Sequence, residues 1–243
     1  MSQSMHLTPK QARMAAVQAA IGKTKMSTAK LWNPWPQLLD DDVVIKKLEV
    51  SAGGGNVPEI IPDGQQFSDL KPVRLPAIGR EAGLGGPVTQ STFAEAREKI
   101  KSKYVATGRA NYRGLASANC TLFACCVIGM LADQPKLLGS GVKVELINFR
   151  DTTGGAGHAY VVVGRGEGDV GDIKSYGSDC FFVDQWYARH KSGTPGVQGV
   201  KDAVPGESPN PFWDLDFYAF MSDETSPVVK LTFTSDELPK LGL

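Results

Sequence analysis

Three residues stand in an order that can support acyl-transfer chemistry: Cys120, then His158, then Asp184. Cys120 lies at the junction of "GLASAN" and the apolar run "CTLFACCVIGMLA". That run reads as a buried helix, which puts Cys120 in its first turn. There the unpaired N–H groups and the positive end of the helix dipole favour thiolate, the nucleophilic form of cysteine. Cys125 and Cys126 lie at least one turn further in, where burial holds a thiol neutral. Taken singly, most cysteines in apolar helices are simply packed there.

His158 is one of only three histidines and opens the strand-like run in "GGAGHAYVVVGR". A purely structural core would more cheaply take Val or Leu at that position. A neutral imidazole there can take a thiol proton or become its imidazolium partner. His190, in the polar stretch "ARHKSG", and His6, ahead of the first helix, lack that placement. Asp184 sits in "FFVDQW", among Phe, Val and Trp. A buried carboxylate without a partner is expensive, and an imidazolium on the adjacent strand would satisfy it while fixing the ring's tautomer. The bland alternative is an Asp at a strand's end, bonded to turn amides.

These side chains must be positioned by elements that the patterning also predicts. Thr8-Pro9-Lys10-Gln11 combines an N-cap, Pro at the first helical position and a capping-box Gln. Met14, Val17 and Ile21 then share a face and Gly22 is placed to end a helix over 9–21. A second capping box, Thr92 to Glu95, precedes the stripe Phe93, Ala96, Ile100 and Tyr104. The nucleophile helix follows at 120–132, then strand-like runs at 142–149, 158–164, 180–187 and 227–234. "GEGDVGD" reads as a hairpin loop between two of them. The predicted fold class is α+β, a nucleophile helix packed on an antiparallel sheet. Residues 1–50 read as an N-terminal helical extension that docks through Trp32 and Trp35. Residues 51–90 read as a Gly/Pro-rich linker or wrapping loop, and 91–243 as the main domain.

Composition narrows the function classes. Lys and Arg number 26 and so do Asp and Glu, so no net field draws the chain to nucleic acid or to an anionic membrane. No run approaches the ~18 apolar residues of a membrane span. The four cysteines, Cys120, Cys125, Cys126 and Cys180, have no metal-ligand rhythm, so neither a metal nor another cofactor is expected. The first 30 residues carry five Lys or Arg, no Asp or Glu and no continuous apolar core, which excludes a classical signal peptide. An ordinary basic helix, an organellar transit peptide and a leader read by a bacterial secretion machine all fit that bias. "DDD" at 40–42 reads as a solvated turn or a helix entry, and "GRGEGDVG" lacks the strand-to-helix context of a nucleotide loop.

On three motifs the chain resembles the papain-like superfamily in its transglutaminase-type Cys, His, Asp order. More narrowly it is similar to bacterial effector and toxin enzymes of that fold, which act on host proteins as cysteine proteases or glutamine deamidases. "SANCTLFA" supplies Asn119 before Cys120, "GHAYVVV" the His-Ala piece, and "FVDQW" the Val-Asp-x-Trp piece, over roughly residues 105–190. Gln185 replaces the proline usual after the acid. The position of papain's oxyanion-hole glutamine falls on Gly114, which has no side chain to donate. The Cys120 N–H can supply one donor; Asn119 and Asn111 are candidates for a second, and Trp186 for substrate contact.

The resemblance implies a papain-like fold and the catalytic set Cys120, His158 and Asp184. It also implies a protein substrate in a target or host cell, with a secretion chaperone or immunity protein as further partner. Localisation would be secretion without a classical signal peptide followed by action in the target-cell cytoplasm; a cytoplasmic enzyme is the alternative. Cys120 thiolate would attack an amide carbonyl, His158 would protonate the leaving nitrogen, and water would resolve the thioester. Deamidase, protease and transglutaminase share that chemistry and differ in leaving group and acceptor. A peptidoglycan amidase of the NlpC type also orders Cys before His, but its third polar residue is usually a His. A non-enzymatic binding module would keep the three residues as packing and present Trp32, Trp35, Trp186 and Trp213 to a partner.

Overall fold

The computed structural model describes residues 7–31, 57–150, 157–190, 196–199 and 227–243. Helix α1, Pro9–Gly22, starts on the expected capping box. Thr8 Oγ1 accepts from the Gln11 N–H at 3.2 Å, and Gln11 Oε1 accepts from the Thr8 N–H at 2.9 Å. Val17 and Ile21 are fully buried on its inner face. Its end differs from expectation: Gly22 is the last helical residue and not a left-handed stop. The N–H groups of Lys23 and Thr24 bond to the Ala20 and Ile21 carbonyls, at 3.1 and 2.9 Å. A tightened last turn thus satisfies those carbonyls without a positive φ.

A 3-10 turn at Lys25–Ser27 leads to strand β1, Lys30–Leu31. The expected docking tryptophans, Trp32 and Trp35, lie outside the described residues, as do His6, "DDD" at 40–42 and Trp213. Residues 57–90 hold short structure where the composition suggests only loop: 3-10 turns at Phe67–Asp69 and Pro72–Arg74, then helix α2, Leu75–Glu81. Pro72 and Pro76 sit in first turns, where a missing N–H costs nothing, so Pro-rich sequence here starts helical turns. This segment and helix α3, Phe93–Asn111, bury a small core of Ile61, Leu70, Ile78, Ala82, Val88, Ala96 and Ile100. The second capping box does not form. The Thr92 hydroxyl accepts from the Thr89 N–H at 2.9 Å, and Glu95 pairs instead with Lys99 one turn on, at 2.7 Å.

Strand β2, Ser117–Ala118, pairs in parallel with β1 and runs straight into helix α4, Cys120–Asp133. Helix α4 is apolar on all sides because it is covered on all sides, by α3 and by the sheet. Only a glycine pair lets α3 and α4 approach so closely. A Cβ on Gly108 would lie 2.1 Å from the Cys125 carbonyl oxygen, and one on Gly129 would lie 2.2 Å from the Arg109 nitrogen.

The sheet is antiparallel throughout. Its strands are β3, Lys143–Arg150; β4, Gly157–Val163; β5, Phe181–Val183; β6, Val197–Gly199; and β7, Val228–Thr234. They lie in the order β6-β5-β4-β3-β7. Both edges are covered. Gln18 of α1 accepts from the Val197 N–H at 3.0 Å, and the Asp63 N–H donates to the Lys230 carbonyl at 3.0 Å. The architecture is α+β, as the patterning predicts.

One expected strand is corrected. The run 180–187 is extended only over Phe181–Val183 and then becomes helix α5, Gln185–His190, because Asp184 caps it. Among the described residues no helix is long and apolar enough to cross a membrane.

Candidate active site

Cys120 occupies the first position of α4. Asn119 is the N-cap: its side-chain oxygen accepts from the Leu122 N–H at 2.9 Å, and its carbonyl from the Phe123 N–H at 3.0 Å. Those bonds use the N–H groups of the third and fourth helical residues. Cys120, as the first, has no intrahelical carbonyl to receive its own N–H. Its sulfur therefore stands at the positive end of the dipole.

The sheet brings the other two groups to that sulfur by a mismatch of strand lengths. Strand β5 pairs with β4 only at Val161, Val162 and Val163, so residues 157–160 of β4 extend beyond their neighbour. The sulfur of Cys120 lies along this strand end. It is 3.8 Å from the Gly157 carbonyl, accepts from the Ala159 N–H, and has the Thr121 hydroxyl 4.0 Å away. His158 projects from the same strand end, and Asp184 is the first residue beyond the short strand β5.

His158 Nε2 and Asp184 Oδ2 are 2.5 Å apart. The other carboxylate oxygen, Oδ1, accepts from the Tyr187 N–H at 3.0 Å and so caps α5. Asp184 is thus both the imidazole's partner and an Asp at a strand's end bonded to a turn amide. With Nε2 committed to the carboxylate, Nδ1 is the ring nitrogen left for the thiol. Trp186, the second residue of α5, covers the imidazole: the ring centroids are 4.7 Å apart at an interplanar angle of 42°.

Charge follows from these contacts. Burial pushes the Cys120 thiol up, but hydrogen bonding to His158, the imidazolium charge, the Ala159 N–H and the Thr121 hydroxyl together leave it below its ordinary value. Burial likewise works against a charged His158, yet the Asp184 carboxylate and Cys120 raise the imidazole to about 10. The two shifts run in opposite senses, and both favour the thiolate–imidazolium form of the pair. The other cysteines lie on the opposite side of normal. Burial raises Cys125 well above its ordinary value and Cys126 and Cys180 to about 12.

Cys120, His158 and Asp184 are brought together, with relative exposures of 5%, 1% and 2%. Other expected roles are redistributed. The side-chain oxygen of Asn119 is committed to capping. Asn111 donates its amide to the Thr107 carbonyl at 2.8 Å within its own helix, away from oxyanion duty. Trp186, expected to touch substrate, is 2% exposed and packs on the His158 ring instead. Gln185, where proline is usual, starts α5 with its side-chain oxygen against Gly196; a Cβ on that glycine would meet it at 2.2 Å. His190 is the last residue of α5.

Sequence reasoning misses two of the sulfur's neighbours. The Ala159 N–H is a backbone donor and carries no residue-type signal. Thr121 is legible only once the helix start is known, since it then falls beside the cysteine. Among the described residues no cluster of three or more His, Cys, Asp or Glu could hold a metal ion. The chain matches no family model, no curated protein and no solved structure.

Proposed function

We propose that the chain is a cysteine hydrolase of papain-like fold, acting by acyl transfer at an amide carbonyl of a target protein. Cys120 is the nucleophile, His158 the proton carrier, and Asp184 the group that orients the ring and holds its charge. The observation that carries this reading is geometric: of four buried thiols, Cys120 stands at a helix start on the strand end that bears the carboxylate-bound imidazole. That setting favours its thiolate, while burial pushes the other three thiols away from it.

In the proposed reaction the thiolate attacks the carbonyl carbon and the carbonyl electron pair moves to oxygen. Collapse of that oxyanion breaks the C–N bond as imidazolium gives its proton to the leaving nitrogen. Water, deprotonated by the now neutral His158, then attacks the thioester, and the sulfur leaves as thiolate. Ammonia as leaving group makes the enzyme a glutamine deamidase; a chain amine makes it a protease. The biological setting proposed with it is a secreted, effector-like protein acting inside a target cell.

The experiment is twofold. Iodoacetamide at neutral pH labels Cys120 far faster than Cys125, Cys126 or Cys180, and His158→Ala removes that selectivity. Mass spectrometry of target-cell proteins exposed to the enzyme then shows either an amide-to-acid change in an intact chain or two fragments. The near-complete burial of all three side chains favours one second reading, a binding module in which they only pack. Equal or absent labelling of the four cysteines supports that module and ends the enzymatic proposal.

A further inference from the structure

An acyl-transfer site needs two donors for the developing oxyanion, and one of the amides expected to supply the second, that of Asn111, is turned into its own helix. The Asn111 amide donates to the Thr107 carbonyl, and the Asn119 side chain is tied through its oxygen to the Leu122 N–H, which holds it against the first turn of α4. We infer that the Thr121 hydroxyl is the second oxyanion donor, acting together with the Cys120 N–H; this rests on the acyl-transfer reading above.

The geometry is local. Thr121 follows Cys120 at the start of α4, and its Oγ1 lies 4.0 Å from Sγ. When the sulfur bonds to a carbonyl carbon, the new oxyanion is two bonds from Sγ. A hydroxyl at this separation can reach that oxygen at a normal donor distance, roughly 2.7–3.1 Å. Thr121 is half-buried whereas Cys120 is almost fully buried, so Thr121 is the more open of the two to an approaching carbonyl. Its carbonyl oxygen meets the Tyr104 hydroxyl at 3.5 Å, a contact that steadies the turn bearing it.

The role has two stages. In the resting pair the hydroxyl points at the thiolate and contributes to its stabilisation. On attack, the sulfur's electron pair forms the C–S bond and negative charge moves onto oxygen. The hydroxyl proton follows that charge, and no proton is transferred. When the oxyanion collapses, the electron pair re-forms the C=O bond, the C–N bond breaks, and the hydroxyl returns to the sulfur's vicinity. A donor that follows the charge acts more strongly in the transition state than in the ground state, which is the condition for it to accelerate the step.

The test separates oxyanion stabilisation from thiolate stabilisation. Acylation of Cys120 by p-nitrophenyl acetate passes through a tetrahedral oxyanion; alkylation by iodoacetamide does not. Thr121→Val and Thr121→Ala are compared with Thr121→Ser and wild type in both reactions. The expected result is an acylation rate that falls roughly tenfold to a hundredfold further than the alkylation rate in the Val and Ala variants, with Ser retaining both. Equal losses in the two reactions, or no loss in either, overturn the Thr121 assignment while leaving the nucleophile in place. A wild-type Cys120 that neither reagent modifies overturns the acyl-transfer reading, and Thr121 with it.

Discussion

Asp184 serves two elements with its two oxygens: Oδ2 lies 2.5 Å from His158 Nε2, while Oδ1 accepts from the Tyr187 N–H at 3.0 Å. The start of α5 and the orientation of the imidazole are therefore one arrangement. Any shift of the capped turn moves the carboxylate against the ring, and any rotation of the ring draws on the cap.

Two substitutions separate these duties. Asp184→Asn keeps an acceptor for the Tyr187 N–H, since Asn caps about as well as Asp, but removes the charge that holds His158 protonated. Asp184→Ala loses both, and the missing cap alone costs about 1 kcal/mol. Chemical denaturation should find Asp184→Asn the more stable of the two. Alkylation of Cys120 at neutral pH should be slowed in both. Labelling by Asp184→Asn at the wild-type rate would show that the carboxylate is only a cap.

A thiolate–imidazolium pair at Cys120 and His158 makes a signed prediction for pH. Cys120 lies below its ordinary value, so its alkylation rate should rise at lower pH than that of a free thiol and be near its plateau at neutrality. In His158→Gln, burial remains and the opposing charge is gone, so the rise should move to higher pH, with the neutral rate falling about tenfold for each unit moved. Stability follows with the opposite sense for the imidazole. A folded value of about 10 means that the stabilisation from charged His158 is complete below its unfolded value and drains away as pH rises through the folded one. Urea midpoints of wild type and His158→Gln should therefore converge between about pH 6.5 and the alkaline end of that window.

Much of this arrangement was legible before the fold was known, for reasons that differ from residue to residue. Cys120 is readable because the apolar run it opens reads as a buried helix, and a helix start has a known electrostatic sense; the cap that Asn119 supplies emerges only in the structure. His158 was readable because imidazole is out of place at the mouth of a valine-rich strand. Asp184 is readable both as a buried carboxylate and as an Asp bonded to turn amides, but helix α5 behind it is not, because strand β5 is too short to pattern and an apolar run looks the same on either side of its end. The Thr92 capping box failed because neighbouring Thr89 offered the hydroxyl a nearer donor, a competition that spacing does not reveal. Strands β1, β2 and β6 are too short to carry any period, so the parallel pair that leads into Cys120 emerges only in three dimensions.

Trp186 adds the last prediction. Its ring centroid lies 4.7 Å from that of His158, within the roughly 6 Å over which a cation is held by an aromatic face. A desolvated contact of this kind is worth on the order of 1–2 kcal/mol, which corresponds to about one pKa unit of the group it covers. Trp186→Phe should keep most of the packing and part of the attraction; Trp186→Leu should lose the attraction entirely. The pH at which His158 gives up its proton, followed by NMR of the ring, should descend in the order wild type, Phe, Leu. A thermal melt on each variant separates this effect from lost core volume, since a cavity lowers the melting temperature without moving the titration of a ring that stays in place. An unmoved His158 titration in both variants would leave Trp186 as a packing residue and assign the raised imidazole value to Asp184 and Cys120 alone.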